Sequence, residues 1–151
     1  MTQLESAARS FDLSKVMAFQ PPELLVERFS QDYNLSREEV IERFDEIKKF
    51  LVVCASDHSR SFAPSKTLDK MWHSFVLFTP EYFRFCQDLG GYIHHRPTRE
   101  IMHESYSNTV QTMSKIFGSV NTKYWKNRNA ADCSSECNDD GYCDDANCDN
   151  N

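Results

Sequence analysis

Apolar residues recur at helical spacing along the first third of the chain, and this pattern predicts two consecutive helices. Pro21 and Pro22 are placed to open the first helix, whose apolar face extends to about Tyr33. Ser36 and Glu39 form a capping-box pattern at the start of the second helix. The apolar positions of the first helix are Leu24, Leu25, Val26 and Phe29, and those of the second are Val40, Phe44, Ile47, Leu51 and Cys54.

Three further helices are predicted after a polar loop that spans residues 55–66. Thr79 before Pro80 is typical of a helix start, Thr98 can cap the last helix, and Gly118 is placed to end it. The apolar faces comprise Leu68, Met71, Trp72 and Phe75 in the first of these helices, Tyr82, Phe83, Cys86 and Leu89 in the second, and Ile101, Met102, Tyr106, Val110, Met113 and Phe117 in the third.

The pattern as a whole predicts an all-α protein, a compact bundle of about five helices with a disordered C-terminal tail. The helical domain is expected to span residues 1–128, with Tyr124 and Trp125 docked back on its core. Beyond Asn129 the apolar periodicity stops, and Asn, Asp, Ser and Cys dominate. Such a composition cannot bury enough apolar surface to offset the entropy of ordering, so residues 129–151 are predicted to form a flexible, acidic, cysteine-rich tail.

Charge is divided unevenly along the chain. The net charge is -6, and seven acidic residues follow the last basic residue, Arg128, so the part before them is close to +1. A body without a broad basic surface argues against nucleic-acid binding. No apolar run is long enough to span a bilayer, and residues 1–15 lack the apolar stretch of a signal peptide, so we expect no membrane association and a cytoplasmic location. In that reducing compartment, the six cysteines are thiols or metal ligands rather than a disulfide framework.

A polar and aromatic cluster is predicted in the middle of the chain. Asp69, Trp72 and His73 fall within about one helical turn, and the i,i+4 spacing lets the Asp69 carboxylate approach and orient the His73 ring. The alternative is ordinary packing, with Trp72 and Cys86 in the core and one hydrogen bond at His73. Zinc or another transition metal accepts the ligand types that this region and the next connection supply. The candidate ligands are His73, Cys86, His94 and His95, and at most one of the two adjacent histidines is expected to join a given site.

The same region resembles a known family. The matching residues are Leu68-Asp69-Lys70-Met71-Trp72-His73, Phe78-Thr79-Pro80-Glu81-Tyr82, Phe85-Cys86, Gly90, Ile93-His94-His95 and Pro97. They are similar to the core signature of the glycine-rich domain-containing-protein-like family, and the resemblance covers about Leu35 to Arg128. It implies a structural motif and no catalytic residue. The motif comprises Asp69, Trp72, His73 and Tyr82.

Four cysteines lie within sixteen residues of the tail, each surrounded by carboxylates and amides; they are Cys133, Cys137, Cys143 and Cys148. A site for zinc or another thiophilic metal is chemically possible, although the paired C-x2-C knuckles of zinc ribbons are missing. A second hypothesis makes the protein a precursor whose tail is enzymatically modified, since a folded leader before a Cys-, Ser- and Asp-rich segment is typical of such precursors. The third is a solubilising or redox-sensitive appendage.

Function is the least determined property at this level. An enzyme has little support, because a P-loop, a Rossmann fingerprint and a nucleophile elbow are missing, although a small His/Cys site with His73 as base and Cys86 as nucleophile can be drawn. A binding module fits better, since a helical body rich in aromatic residues can present a groove to a protein or peptide partner, unless those residues are core. The sequence therefore predicts a non-catalytic binding or accessory module, with metal coordination as a further hypothesis. The candidate groove residues are Tyr82, Phe85, Tyr92 and Trp125.

Overall fold

A computed structural model describes residues 11–96 and 103–126, and within these ranges the chain forms six α-helices and no β-strand. The all-α prediction is confirmed, with one helix more than expected. The predicted tail and the boundary at residue 128 lie outside the described residues. The helices are α1 (Leu13–Met17), α2 (Glu23–Tyr33), α3 (Arg37–Ser56), α4 (Lys66–Val76), α5 (Thr79–Asp88) and α6 (His103–Phe117).

Serine side chains define the starts of the two central helices. Ser36 Oγ accepts a hydrogen bond from the Glu39 backbone N–H at 3.2 Å and caps α3. The corresponding contact at α4 joins Ser65 Oγ to the Leu68 backbone N–H at 3.4 Å. The loop between these helices spans residues 57–65, slightly shorter than the predicted 55–66.

The start of α5 differs from the prediction. Thr79 is its first helical residue, because the Phe78 carbonyl already accepts a hydrogen bond from the Tyr82 backbone N–H at 2.8 Å. Phe78 is therefore the N-cap residue, and it makes no side-chain capping bond. Pro80 lies in the first turn, where its missing N–H leaves no helical bond unmade.

Two apolar side chains that the pattern assigned to buried faces point outward. Leu24 is 48% exposed, and Phe83 is 53% exposed. Successive helical residues are rotated by about 100°, so Leu24 and Phe83 point away from the faces that carry the buried residues of their helices. The buried residues of α2 are Leu25, Val26 and Phe29, and the buried face around α5 consists of Tyr82, Phe85, Cys86 and Leu89.

The end of α6 and the segment after it follow the prediction. Gly118 has a φ of +82°, and its N–H bonds to the Ser114 carbonyl at 2.8 Å, which ends the helix in the left-handed conformation that glycine favours. Tyr124 and Trp125 are buried in the core, as expected. The start predicted for this helix, with its cap and first apolar residues, lies outside the described residues; it comprises Thr98, Ile101 and Met102.

Helix α3 lies at the centre of the fold and packs against α1, α2, α4 and α6. Toward its N-terminal half, Phe44 contacts Phe75 of α4 with ring centroids 4.9 Å apart. Toward its C-terminal half, Phe50 lies between Trp72 and Trp125, at 5.1 and 6.1 Å. The buried apolar residues from α1 to Trp125 form one cluster. No helix among the described residues is long and apolar enough to cross a membrane.

Two charged side chains of α3, those of Glu46 and Lys48, are buried in this core. Lys48 Nζ donates hydrogen bonds to the carbonyls of Met17 at 2.6 Å and Phe19 at 2.9 Å, and it pairs with the Asp45 carboxylate at 2.9 Å. A buried ammonium group is tolerated only where such partners replace water. Since Met17 ends α1, this lysine fixes the short helix against α3.

Replacing Lys48 with Met is expected to lower the free energy of unfolding by about 1–3 kcal/mol. The variant keeps the apolar stem but leaves two carbonyls without their donor. Lys123→Met is the matched control, because Lys123 and its ion-pair partner Glu42 are both exposed and such a pair contributes little. Urea unfolding followed by circular dichroism measures both variants. Equal losses for the two would contradict the role assigned to Lys48.

Candidate functional site

The hydroxyl group of Tyr82 joins three segments of the chain in the interior. The Trp72 indole Nε1 donates to it at 3.0 Å, and the hydroxyl in turn donates to the Ile93 carbonyl at 2.5 Å. Trp72 comes from α4, Tyr82 from α5 and Ile93 from the connection that follows α5. Burial raises the pKa of Tyr82, so the group is a neutral phenol that acts as donor and acceptor at once. This arrangement holds the connection against both helices.

Asp69 pairs with His95 in the structure and not with His73 as the i,i+4 spacing had suggested. His95 Nε2 donates to Asp69 Oδ1 at 2.9 Å, and its ring packs nearly perpendicular to that of Trp72, with centroids 4.6 Å apart. The His95 side chain is only 10% exposed. The Tyr82 bond to Ile93 holds the connection so that His95 reaches α4. The Asp69 carboxylate therefore bonds to His95 and not to His73. His73 is exposed, with its ring 5.6 Å from that of His95.

The other two candidate ligands, Cys86 and His94, do not join the Asp69–His95 pair. Cys86 is buried, and its thiol contacts the Ile93 backbone N–H and Tyr82; burial raises the pKa of this thiol. His94 is exposed and packs against Tyr92 with centroids 4.7 Å apart. The structure therefore does not bring His73, Cys86, His94 and His95 together. Among the described residues, no group of three or more His, Cys, Asp or Glu side chains could hold a metal ion.

The two cysteines within the described ranges, Cys54 and Cys86, are free thiols. Burial also raises the pKa of Cys54, so neither thiol is readily ionised near neutral pH. The tail candidates lie outside the described residues, and metal binding there stays a prediction. They are Cys133, Cys137, Cys143 and Cys148.

A surface cleft of about 890 Å³ lies between the α1–α2 connection and α5. Sequence reasoning did not identify it as a site. The one signal was the run of apolar residues 24–26, of which an amphipathic helix must expose at least one. The apolar part of its lining consists of Phe19, Pro22, Leu24 and Phe78. The charged part consists of Lys15, Glu23, Glu81, Arg84 and Asp88.

Ion pairs organise the charges of the cleft. Lys15 of α1 reaches Asp88 of α5 at 3.3 Å, and the Glu81 and Arg84 side chains are 3.9 Å apart on the same helix. Glu23 accepts two hydrogen bonds from Arg37, which lower the pKa of its carboxyl. Exposed pairs of this kind contribute little to stability and separate easily. The lining holds three carboxylates and two cations, and Arg37 beside it balances the third carboxylate.

Comparison with known proteins identifies one family. A family model described as UCP032817-like matches residues 12–127, a range that contains all six described helices. This match corrects the resemblance to the glycine-rich domain-containing-protein-like family, which is wrong. That resemblance depended on short runs whose Trp72, Tyr82 and Cys86 are buried residues of a helical core, whereas the family model spans most of the chain. Neither the curated proteins nor the solved structures provide a match.

The Tyr82→Phe substitution tests the buried link. We expect it to lower the free energy of unfolding by about 1–3 kcal/mol, because the Trp72 N–H and the Ile93 carbonyl lose a buried partner. Tyr92→Phe is the control, since Tyr92 is 43% exposed and removal of an exposed hydroxyl changes stability by less than about 0.5 kcal/mol. Chemical denaturation of both variants provides the measurement. The link would have no structural role if the two variants were equally stable.

Proposed function

We propose that this chain, which belongs to the UCP032817-like family, is a non-catalytic binding module for a segment of a partner polypeptide. The cleft between the α1–α2 connection and α5 is the observation that carries the proposal. Its volume of about 890 Å³ falls within the usual range for binding clefts, roughly 300–1,000 Å³. The expected occupant is a short segment with both apolar and basic side chains.

The apolar requirement follows from Leu24. This side chain is half-exposed in the cleft, while the neighbouring apolar residues of α2 are buried. Covering an exposed leucine contributes up to about 1.5–3 kcal/mol, and Pro22 and Phe78 extend the apolar surface. An apolar side chain of the partner therefore has a defined place to dock.

The basic requirement follows from the charges of the lining. Glu23, Glu81 and Asp88 outnumber Lys15 and Arg84 by one. Arg37, outside the lining, balances Glu23, and Glu81 is the least firmly paired carboxylate, since it lies 3.9 Å from Arg84. A lysine or arginine of the partner can pair with Glu81, and such complementarity steers association and selects the partner.

The catalytic alternative receives no support from the geometry around Cys86. A nucleophilic thiol needs access and a lowered pKa, whereas burial raises the pKa of Cys86. Its thiol contacts Tyr82 and Ile93, and His73 lies elsewhere on the exposed side of α4. A binding role makes no such demand on the two residues.

A peptide library displayed on phage tests the proposal. We expect immobilised full-length protein to enrich peptides that combine aromatic or aliphatic residues with lysine or arginine, and Leu24→Asp to weaken their binding at least about tenfold, which corresponds to about 1.4 kcal/mol. Phe83→Asp is the matched control, because Phe83 is an exposed aromatic residue of α5 outside the cleft lining. No enrichment, or peptides that bind Leu24→Asp equally well, would overturn the proposal.

We also propose, as a second candidate, that the tail cysteines bind zinc or another thiophilic metal. Four cysteines within sixteen residues, interspersed with carboxylates, supply enough thiolate ligands for one tetrahedral ion. The thiols of the described ranges do not compete, because Cys54 and Cys86 lie in apolar surroundings that raise their pKa values. Free thiols at these two positions also favour a cytoplasmic location, where cysteines remain reduced.

Elemental analysis by mass spectrometry tests this second candidate on protein purified without chelator from a metal-replete culture. We expect near-stoichiometric zinc, iron or copper in the full-length protein and its loss when all four tail cysteines are replaced by serine. A variant with Cys54→Ser alone is the control and should retain the metal. Metal-free wild-type protein, or equal metal content in the quadruple variant, would exclude the site.

A further inference from the structure

A second pocket, lined by polar and charged residues, lies between the α3–α4 loop and the first turns of α6. Its volume is about 550 Å³, large enough for a small molecule. The lining includes Arg60 and two serines of the loop, together with Ser105 and Asn108 of α6. This pocket shares no lining residue with the cleft at α5.

The Arg60 guanidinium group is held in place by neutral partners. Its Nη2 donates to Asn108 Oδ1 at 2.6 Å, and its Nη1 donates to Thr112 Oγ1 at 3.3 Å. These two bonds use two of its five N–H groups. No carboxylate of the described residues forms an ion pair with it. A fixed, partly buried cation with spare donors is thus available at the pocket, and no carboxylate in the described ranges pairs with it directly.

The nearest acidic side chain on the loop is already engaged. Asp57 Oδ1 accepts hydrogen bonds from both the backbone N–H and the hydroxyl of Ser59. These bonds, with a smaller contribution from Arg60, lower the pKa of the Asp57 carboxyl. Asp57 therefore holds Ser59 in the loop and does not neutralise the guanidinium group by direct contact.

The loop is fixed to α6 by further polar contacts. The hydroxyl groups of Ser61 and Ser105 are 2.6 Å apart, and Asn108 Nδ2 donates to the Ser61 carbonyl at 3.2 Å. Thr109 Oγ1 accepts from the Ala63 backbone N–H at 3.0 Å. A site held in this way loses little conformational freedom on binding, which favours affinity.

We propose that this pocket binds the phosphate group of a small phosphorylated molecule. The planar guanidinium of Arg60 can donate to phosphate oxygens with the N–H groups that its bonds to Asn108 and Thr112 leave unused. The hydroxyls of Ser61 and Ser105 share one hydrogen bond in which either can donate, so this pair keeps one O–H donor for a remaining phosphate oxygen. His103 adds a further donor to the lining, whereas Glu104 is the one carboxylate among the described lining residues and opposes the anion.

Inorganic phosphate is the probe, titrated into ¹⁵N-labelled full-length protein at constant ionic strength. We expect saturable amide shifts confined to residues 59–61 and 103–108, and none with chloride at the same ionic strength. Arg60→Gln should weaken binding at least about tenfold, because charge-assisted hydrogen bonds are roughly twice as strong as neutral ones. Arg28→Gln, an exposed arginine of α2 outside the pocket, is the matched control and should bind normally.

Glu104→Gln keeps the test decisive if Arg60→Gln disturbs the loop. Removing the lining carboxylate should tighten phosphate binding about two- to fivefold, since the repulsion acts through water at an exposed position. A folding defect would not produce tighter binding. The proposal is overturned by the absence of saturable shifts in the wild type, by unchanged affinity in folded Arg60→Gln, or by the absence of tightening in Glu104→Gln.

Discussion

Helix α3 is buried on so many sides that its charged residues must find partners inside the protein. Lys48 donates hydrogen bonds to the carbonyls of Met17 and Phe19 at the end of α1. Glu46 accepts a hydrogen bond from the Trp125 indole N–H at 3.1 Å, across 79 residues of sequence. Two charges on one helix thereby hold both the beginning and the end of the described chain. The cleft depends in part on the same constraint, since Lys48 helps to hold α1 and the following residues, from which Lys15 and Phe19 line it.

The residues that are most distinctive in the sequence are mainly structural, and the candidate binding surfaces lie elsewhere. Trp72 and Tyr82 bond to each other in the interior, and His95 bonds to Asp69, so their main polar groups are satisfied within the protein. Polar groups in this state position the connection after α5 and have little left to offer a ligand. The cleft exposes apolar surface at Leu24, and the polar pocket retains spare N–H groups on a fixed guanidinium.

Local signals predicted most of the helices, because apolar periodicity and capping residues act within a few positions of each other. Helix α1 was missed, since five residues are too few to show a period. Lys48 lies four residues after Phe44 on the apolar face of its helix, and this position indicates burial. Its hydrogen-bond partners near α1 are about thirty residues away in the sequence, so no local pattern identifies them. The Asp69 bond to His95 likewise spans 26 residues, and no spacing rule on one helix anticipates it.

The position of Phe50 between Trp72 and Trp125 also determines what optical methods can observe in this protein. These are the only two tryptophans of the sequence, and both contact the same ring. Intrinsic fluorescence therefore reports on one small region at the C-terminal half of α3, and the two emitters respond to the same event. Ligands at the cleft or at the polar pocket would leave that signal nearly unchanged, so a dye or an isotope label must be placed near those surfaces to detect them.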